Sequence, residues 1–221
     1  MDERSSRYSR IFRGAAVVVA LLIAAQCRAA QISAQITDPS GQPVIDAVVY
    51  ANPVSGIFPI KSKKDASVEQ VNKEFVPLVS VVQTGTLVNF PNRDKVRHHV
   101  YSFSLAKTFE IKLYTGIPGK PILFDKAGEV VLGCNIHDTM IAYLLVVDTP
   151  IFAKSDKRGA ATLDNLSAGE YEIHVWYPGT LATSAPAPRK VKLSANEVAT
   201  LTFAFNLKPQ SLAAPRPSTG K

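Results

Sequence analysis

Cysteine is nearly missing from this chain of 221 residues: there are two, Cys27 and Cys134. That scarcity excludes a disulfide-stapled scaffold. A long apolar run is missing too. The stretch Ala15 to Ala25 counts 11 residues, short of the roughly 20 that a spanning helix needs. No Lys/Arg block with interleaved aromatics occurs, which argues against a nucleic-acid partner, and no twin-arginine pair stands ahead of the apolar run. We find no carboxylate pair placed for acid-base work, no nucleophile with a His-Asp partner and no phosphate-cradling glycine loop, so an enzyme is not expected.

What is present favours strands. Apolar residues make up 46% of the chain, enough for a sizeable core, and 15 prolines and 12 glycines punctuate segments rich in Val, Thr and Ile. The composition predicts an all-β protein.

The N-terminus has the grammar of a secretory signal peptide. Arg4, Arg7, Arg10 and Arg13 precede the apolar run, and Cys27-Arg28-Ala29-Ala30 supplies small residues for cleavage after Ala29. A lipid anchor on Cys27 fits less well, because Gln26 stands where a small residue is wanted. The expectation is a periplasmic protein, soluble after residues 1–29 are removed and tied to a membrane only through an uncleaved signal segment. Removal takes away five arginines and two acids and lowers the net charge from +7 to +4, a balance that suits solubility or an acidic partner.

Cleavage leaves Cys134 as the sole thiol in an oxidising compartment, with no partner for an intrachain disulfide. It is then a small buried hydrophobe, an interchain pair or a metal ligand. Gly133-Cys134-Asn135-Ile136-His137-Asp138-Thr139-Met140 decides between these readings, because a thiolate, an imidazole and a thioether fall within seven residues. Such donors suit copper, and two His, one Cys and a weak Met describe an electron-transfer copper site. The stretch lacks a second histidine. Upstream, the polar loop Pro91 to Arg97 delivers His98 and His99 to the start of a strand, where neighbours point to opposite faces; one of the two is placed to supply the missing ligand.

In chain order, Ile32, Ala34 and Ile36 alternate as one strand, Asp38-Pro39-Ser40-Gly41 forms a turn and Val44 to Tyr50 the next strand, which together read as a hairpin. Val54 to Ala66, with its run Lys61-Ser62-Lys63-Lys64-Asp65, reads as a solvated connection. Strand chemistry returns over 68–90, with Gly85 at a turn, and over 109–114. Val130 to Gly133 and Ile141 to Asp148 make two apolar strands around the ligand stretch, a rigid platform for a metal that changes charge. A strand is again expected at 160–163, a turn then a strand over 165–179 and, as a final pair, Arg189 to Leu193 with Ala199 to Leu207. His174 alternates with core residues far from the ligand loop and reads as a structural or surface histidine. The Pro-, Ser- and Ala-rich tail 208–221 is expected to be disordered.

Residues 68–148 resemble a cupredoxin of the plastocyanin and amicyanin family. The likeness rests on Gly-Thr-x-Val-x-Phe at Gly85 to Phe90, the Asn92-Arg93-Asp94 loop, His98 followed by Val100 and Phe103, and Cys134-x-x-His137-x-x-Met140 at the short, amicyanin-like spacing. The resemblance implies a Greek-key β-sandwich with one type 1 copper ion held by His98, Cys134 and His137, with Met140 axial. His99 and Asp138 depart from the pattern: the family often has a bracing Asn after the first histidine and an apolar neighbour beside the second. The opening segment and Leu166-x-x-Gly-x-Tyr-x-Ile-x-Val resemble carboxypeptidase-regulatory-like, or transthyretin-like, sandwiches. Over nearly its mature length the chain is also similar to small exported proteins labelled methylamine utilisation protein. The implied organisation is a signal peptide (1–29), a regulatory-like sandwich in two parts (30–55 and 149–207), a cupredoxin between them (56–148) and a tail (208–221). The implied activity is single-electron transfer between redox partner proteins. Copper delivery or buffering, and a metal-free two-sandwich scaffold, are the other readings of the same residues.

Overall fold

The computed structural model describes residues 29–55, 65–178, 180 and 185–206. The expected signal peptide, apart from Ala29, the lysine run at 61–64 and the tail 208–221 lie outside the described residues. Among these no helix is long and apolar enough to cross a membrane. The protein is all-β.

The first segment supplies β1 (Ala30–Thr37) and β2 (Val48–Pro53). The middle supplies β3 (Ala66–Ser67), β4 (Glu69–Val71), β5 (Glu74–Val76), β6 (Val79–Gln83), β7 (Thr86–Asn89), β8 (His98–Ser104), β9 (Lys107–Tyr114), β10 (Ile122–Phe124), β11 (Gly128–Gly133) and β12 (Ile141–Val147). The last segment supplies β13 (Phe152–Lys154), β14 (Ala160–Leu166), β15 (Gly169–Trp176), β16 (Arg189–Leu193) and β17 (Val198–Ala204).

Two sandwiches result. One stacks the sheet β14-β1-β17 on the sheet β13-β2-β15-β16. Ile32, Ile36, Leu163 and Phe203 from the first sheet meet Val49, Ala51, Ile173 and Leu193 from the second in one core. The other stacks the five-stranded sheet β6-β12-β11-β8-β9 on β10-β7-β3, with the hairpin β4-β5 beside them. Its core holds Phe90, Val100, Phe124, Leu132 and Leu144, and Phe90, Phe109 and Phe124 pack with ring centroids 5.5 to 6.5 Å apart. Among the described residues no ladder joins a strand of the first sandwich to a strand of the second.

Two pairings differ from the sequence expectation. β1 and β2 do not form a hairpin; they lie in opposite sheets of the same sandwich. The turn chemistry is real, since Asp38 Oδ1 accepts the amides of Ser40 and Gln42 and Gly41 takes a positive φ of 83°. Beyond it the chain bridges back only at Thr37 and Pro43, then turns at Asp46, with φ 62°, and crosses the core. Period-2 alternation tells which face a strand buries, not which strand lies beside it. Likewise β16 and β17 are not a pair: β16 runs antiparallel to β15, and β17 lies parallel to β1 over its whole length.

The sandwiches meet face to face. Val48, Tyr50, Phe152 and Trp176 on the outer side of one pack against Val79, Val81, Leu145 and Val147 on the outer side of the other. Two polar contacts fix the junction. Trp176 Nε1 donates to Glu129 Oε2 at 3.1 Å, and Lys154 Nζ reaches both Asp46 Oδ1 (2.7 Å) and the Val79 carbonyl (2.8 Å).

Candidate metal centre

Antiparallel β11 and β12 run in register from Gly128↔Val146 to Gly133↔Ile141. That last rung closes the loop that carries Cys134, His137 and Met140, and the Met140 amide donates to the His137 carbonyl at 2.9 Å within it. On its other side β11 meets β8 at Gly133↔Tyr101, which sets the first residue of β8, His98, beside the first residue of the loop. His98 and Cys134 are buried, 0% and 3% exposed, while His137 is partly exposed between exposed Ile136 and Asp138.

Three donor atoms converge there. Cys134 Sγ lies 3.9 Å from His98 Nδ1 and 3.8 Å from His137 Nδ1, and ligand atoms of the three residues all lie within 4.8 Å of one another. The imidazole rings of His98 and His137 stand 5.0 Å apart between centroids. Met140, 1% exposed, belongs to the same core cluster as Cys134. A soft ion with mixed N and S preference fits this donor set.

His99 is not brought to the cluster. It points to the opposite face of β8, is 5% exposed, bonds through Nε2 to Glu110 Oε1 at 2.8 Å and lies 5.7 Å from the Tyr101 ring. Between His98 and Val100 the register with β9 slips: two steps on β8 span three on β9, from Tyr114 to Ile111. A bulge of this kind bends the strand and re-aims its side chains. His174 sits in the other sandwich, stacked on Tyr50 with centroids 4.9 Å apart.

The sequence offered Asp94 only as part of the Asn92-Arg93-Asp94 loop, and its contact with a candidate ligand escaped sequence reasoning. Asp94 Oδ2 bonds His98 Nε2 at 2.8 Å, and the same carboxylate accepts the amides of Asn72 (2.7 Å) and Lys73 (2.8 Å). Asn72 and Lys73 form the β4-β5 turn and both have positive φ, 55° and 62°. Asn92 stiffens the intervening loop: its Oδ1 accepts the Asp94 amide, and its Nδ2 donates to the carbonyls of Val96 and Tyr114. The sequence signal, a carboxylate four residues before a histidine in a polar loop, is too common to single out without the distant turn.

Electrostatics follow from these contacts. Burial by itself raises the Asp94 carboxyl, but the Lys73 amide, the His98 ring and the Asn72 amide outweigh it and hold the group below the usual carboxylate value. His137 is held below the usual histidine value by burial first, then by His98 and Lys73, with Asp94 opposing, a direction that favours the neutral ring able to ligate. Beneath the site Tyr114 donates its hydroxyl proton to the Phe90 carbonyl and accepts from Gln70. Burial, helped by the nearby Cys134 sulfur and opposed by Gln70, pushes its pKa up to about 12.

No protein-family model matches the chain, and no curated protein matches it. Similar solved structures include a Cu-containing nitrite reductase from Thermus scotoductus SA-01, 25% identical over 44% of this chain with a TM-score of 0.37. The chain spans 26% of that enzyme's length. A purple cupredoxin from Nitrosopumilus maritimus is 21% identical, with 37% of this chain and 99% of that one covered and a TM-score of 0.33. An oxidised methionine-to-leucine mutant of amicyanin is 17% identical over 44% of this chain and 98% of its own, with a TM-score of 0.34. At TM-scores this low the likeness settles no family.

Proposed function

We propose that the protein is an exported type 1 copper protein that passes single electrons between redox partner proteins. The observation that carries this reading is the convergence of His98 Nδ1, Cys134 Sγ and His137 Nδ1 on one point from two strand ends. His98, Cys134 and His137 would hold one copper ion, with Met140 as the weak fourth ligand. Bound there, copper supplies a one-electron couple and an intense thiolate charge-transfer band.

The chain's own part is to hold the donors still and keep water away. Cys134 and His98 are anchored at the ends of registered strands and shut from solvent, so no large rearrangement is needed when the charge at the site changes. His137 alone of the three is partly exposed, which makes it the point of entry and exit for electrons. The same burial favours electron transfer over copper delivery, because a donor chaperone must present its ligands to a competing protein, and two of these three are covered.

The test is to load the purified protein with cupric ion and record its visible spectrum. An intense thiolate-to-copper charge-transfer band in the visible that disappears in Cys134→Ser supports the proposal. A protein that binds copper without such a band is not a type 1 centre.

A further inference from the structure

Among the described residues, the Asp94 carboxylate is the one anionic group that touches a proposed ligand from behind. Its side chain is 13% exposed and that of His98 is fully buried. It is oriented without help from any metal, because two backbone amides of the β4-β5 turn already hold its oxygens at 2.7 and 2.8 Å. A carboxylate can only accept, so the 2.8 Å contact requires the proton of a neutral His98 ring to sit on Nε2. The lone pair is thereby left on Nδ1, the nitrogen that faces Cys134 Sγ.

Such a contact does more than orient. A carboxylate accepting the distal N–H of an imidazole raises the ring's basicity and so its strength as a ligand. The gain is greater for the more highly charged metal state. No comparable carboxylate bond to the ring of His137 is found among the described residues, so the two histidines are inequivalent ligands. From this geometry, and resting on the copper reading above, we infer that Asp94 is a positioning residue that fixes the His98 tautomer and biases the centre toward the cupric state.

The inference is tested by the ratio of cupric to cuprous affinity, measured by competition titration in wild type and Asp94→Asn. Asn keeps an acceptor for His98 but loses the charge. Removing such a contact typically alters metal affinity by about 10-fold or more, and the expected result is a roughly 10-fold fall in the cupric-to-cuprous ratio. For a one-electron couple this equals a rise of about 59 mV in reduction potential. A ratio that stays within about twofold while the visible band persists overturns the inference and leaves the copper reading intact.

A second measurement needs no variant. In ¹⁵N-labelled metal-free wild type, the His98 ring proton should be found on Nε2 and be slow to exchange. A proton on Nδ1 overturns the inference. If copper gives no charge-transfer band at all, the copper reading fails, and the tautomer measurement still decides whether Asp94 sets the ring.

Discussion

The Tyr101 ring lies against Gly133, so closely that a Cβ built on the glycine would stand 2.7 Å from Tyr101 Cζ and 2.8 Å from its hydroxyl oxygen. The residue directly before Cys134 is therefore small because a neighbouring strand lays an aromatic ring over it. Gly133→Ala should force the partly exposed Tyr101 ring aside, at the low end of the overpacking range, about 1 kcal/mol. Removing the obstacle in Gly133→Ala/Tyr101→Ala should recover part of that loss, a coupling that denaturant midpoints of the four proteins would reveal. Strict additivity would contradict the contact.

The two adjacent histidines should separate cleanly. His98→Gln is expected to remove the charge-transfer band and to weaken copper binding by at least about 10-fold, whereas His99→Gln should keep both, because His99 faces Glu110 on the far side of the strand. Spectra and copper titrations of the two variants check this. Loss of the band in the His99 variant alone would reverse the assignment.

The junction between the sandwiches offers a stability test remote from the metal centre. Leu145, 6% exposed, sits in the cluster with Val48 and Val147. Leu145→Ala should cost about 2 to 4 kcal/mol, as expected for a buried leucine with limited relaxation, without shifting the visible band. Trp176 is the only tryptophan in the chain and packs against this same cluster, so its fluorescence reports the junction directly in urea melts.

Acid should weaken the sandwich built on β1 through its turn carboxylates. Asp156 is held below the usual value by accepting the amides of Ala160 and Arg158, and Asp38 by the Ser40 hydroxyl and the Gln42 amide. A carboxyl with a lowered folded-state pKa stabilises the fold fully above its unfolded value, about 3.9, and loses that contribution as pH falls through the folded value. Urea midpoints at pH 5 and pH 2.5 should thus differ less in Asp156→Asn than in wild type. An equal or larger difference in the variant would refute the assignment.

Much of the site was legible because it is local. Cys134 and His137 are three residues apart, and the loop that holds them is bounded by two apolar segments whose strand character the sequence states openly. His98 arrives from 36 residues away, through the single rung that joins Gly133 to Tyr101, and the residues alone left the choice between His98 and His99 open; the resemblance to cupredoxins made it. The bond from Asp94 to His98 was not legible, since the carboxylate is held for it by two amides of a turn more than 20 residues earlier. The same limit explains the two misread strand pairs. Turn residues and alternation are short-range signals, whereas the partners of β1 and β17 are set by how two faces fill one core.

That parallel pairing of β1 with β17 has a consequence for the order of assembly. Every described strand of the sandwich that carries His98 and Cys134 has been synthesised once Val147 is made, so it can form while the rest of the chain is still emerging. The other sandwich must hold its first strand waiting until Val198–Ala204 arrives to lie against it. Contacts of such long sequence separation form slowly. Refolding should therefore be biphasic, with the sandwich of residues 66–147 acquiring its structure first and the sandwich built on β1 and β17 closing afterwards.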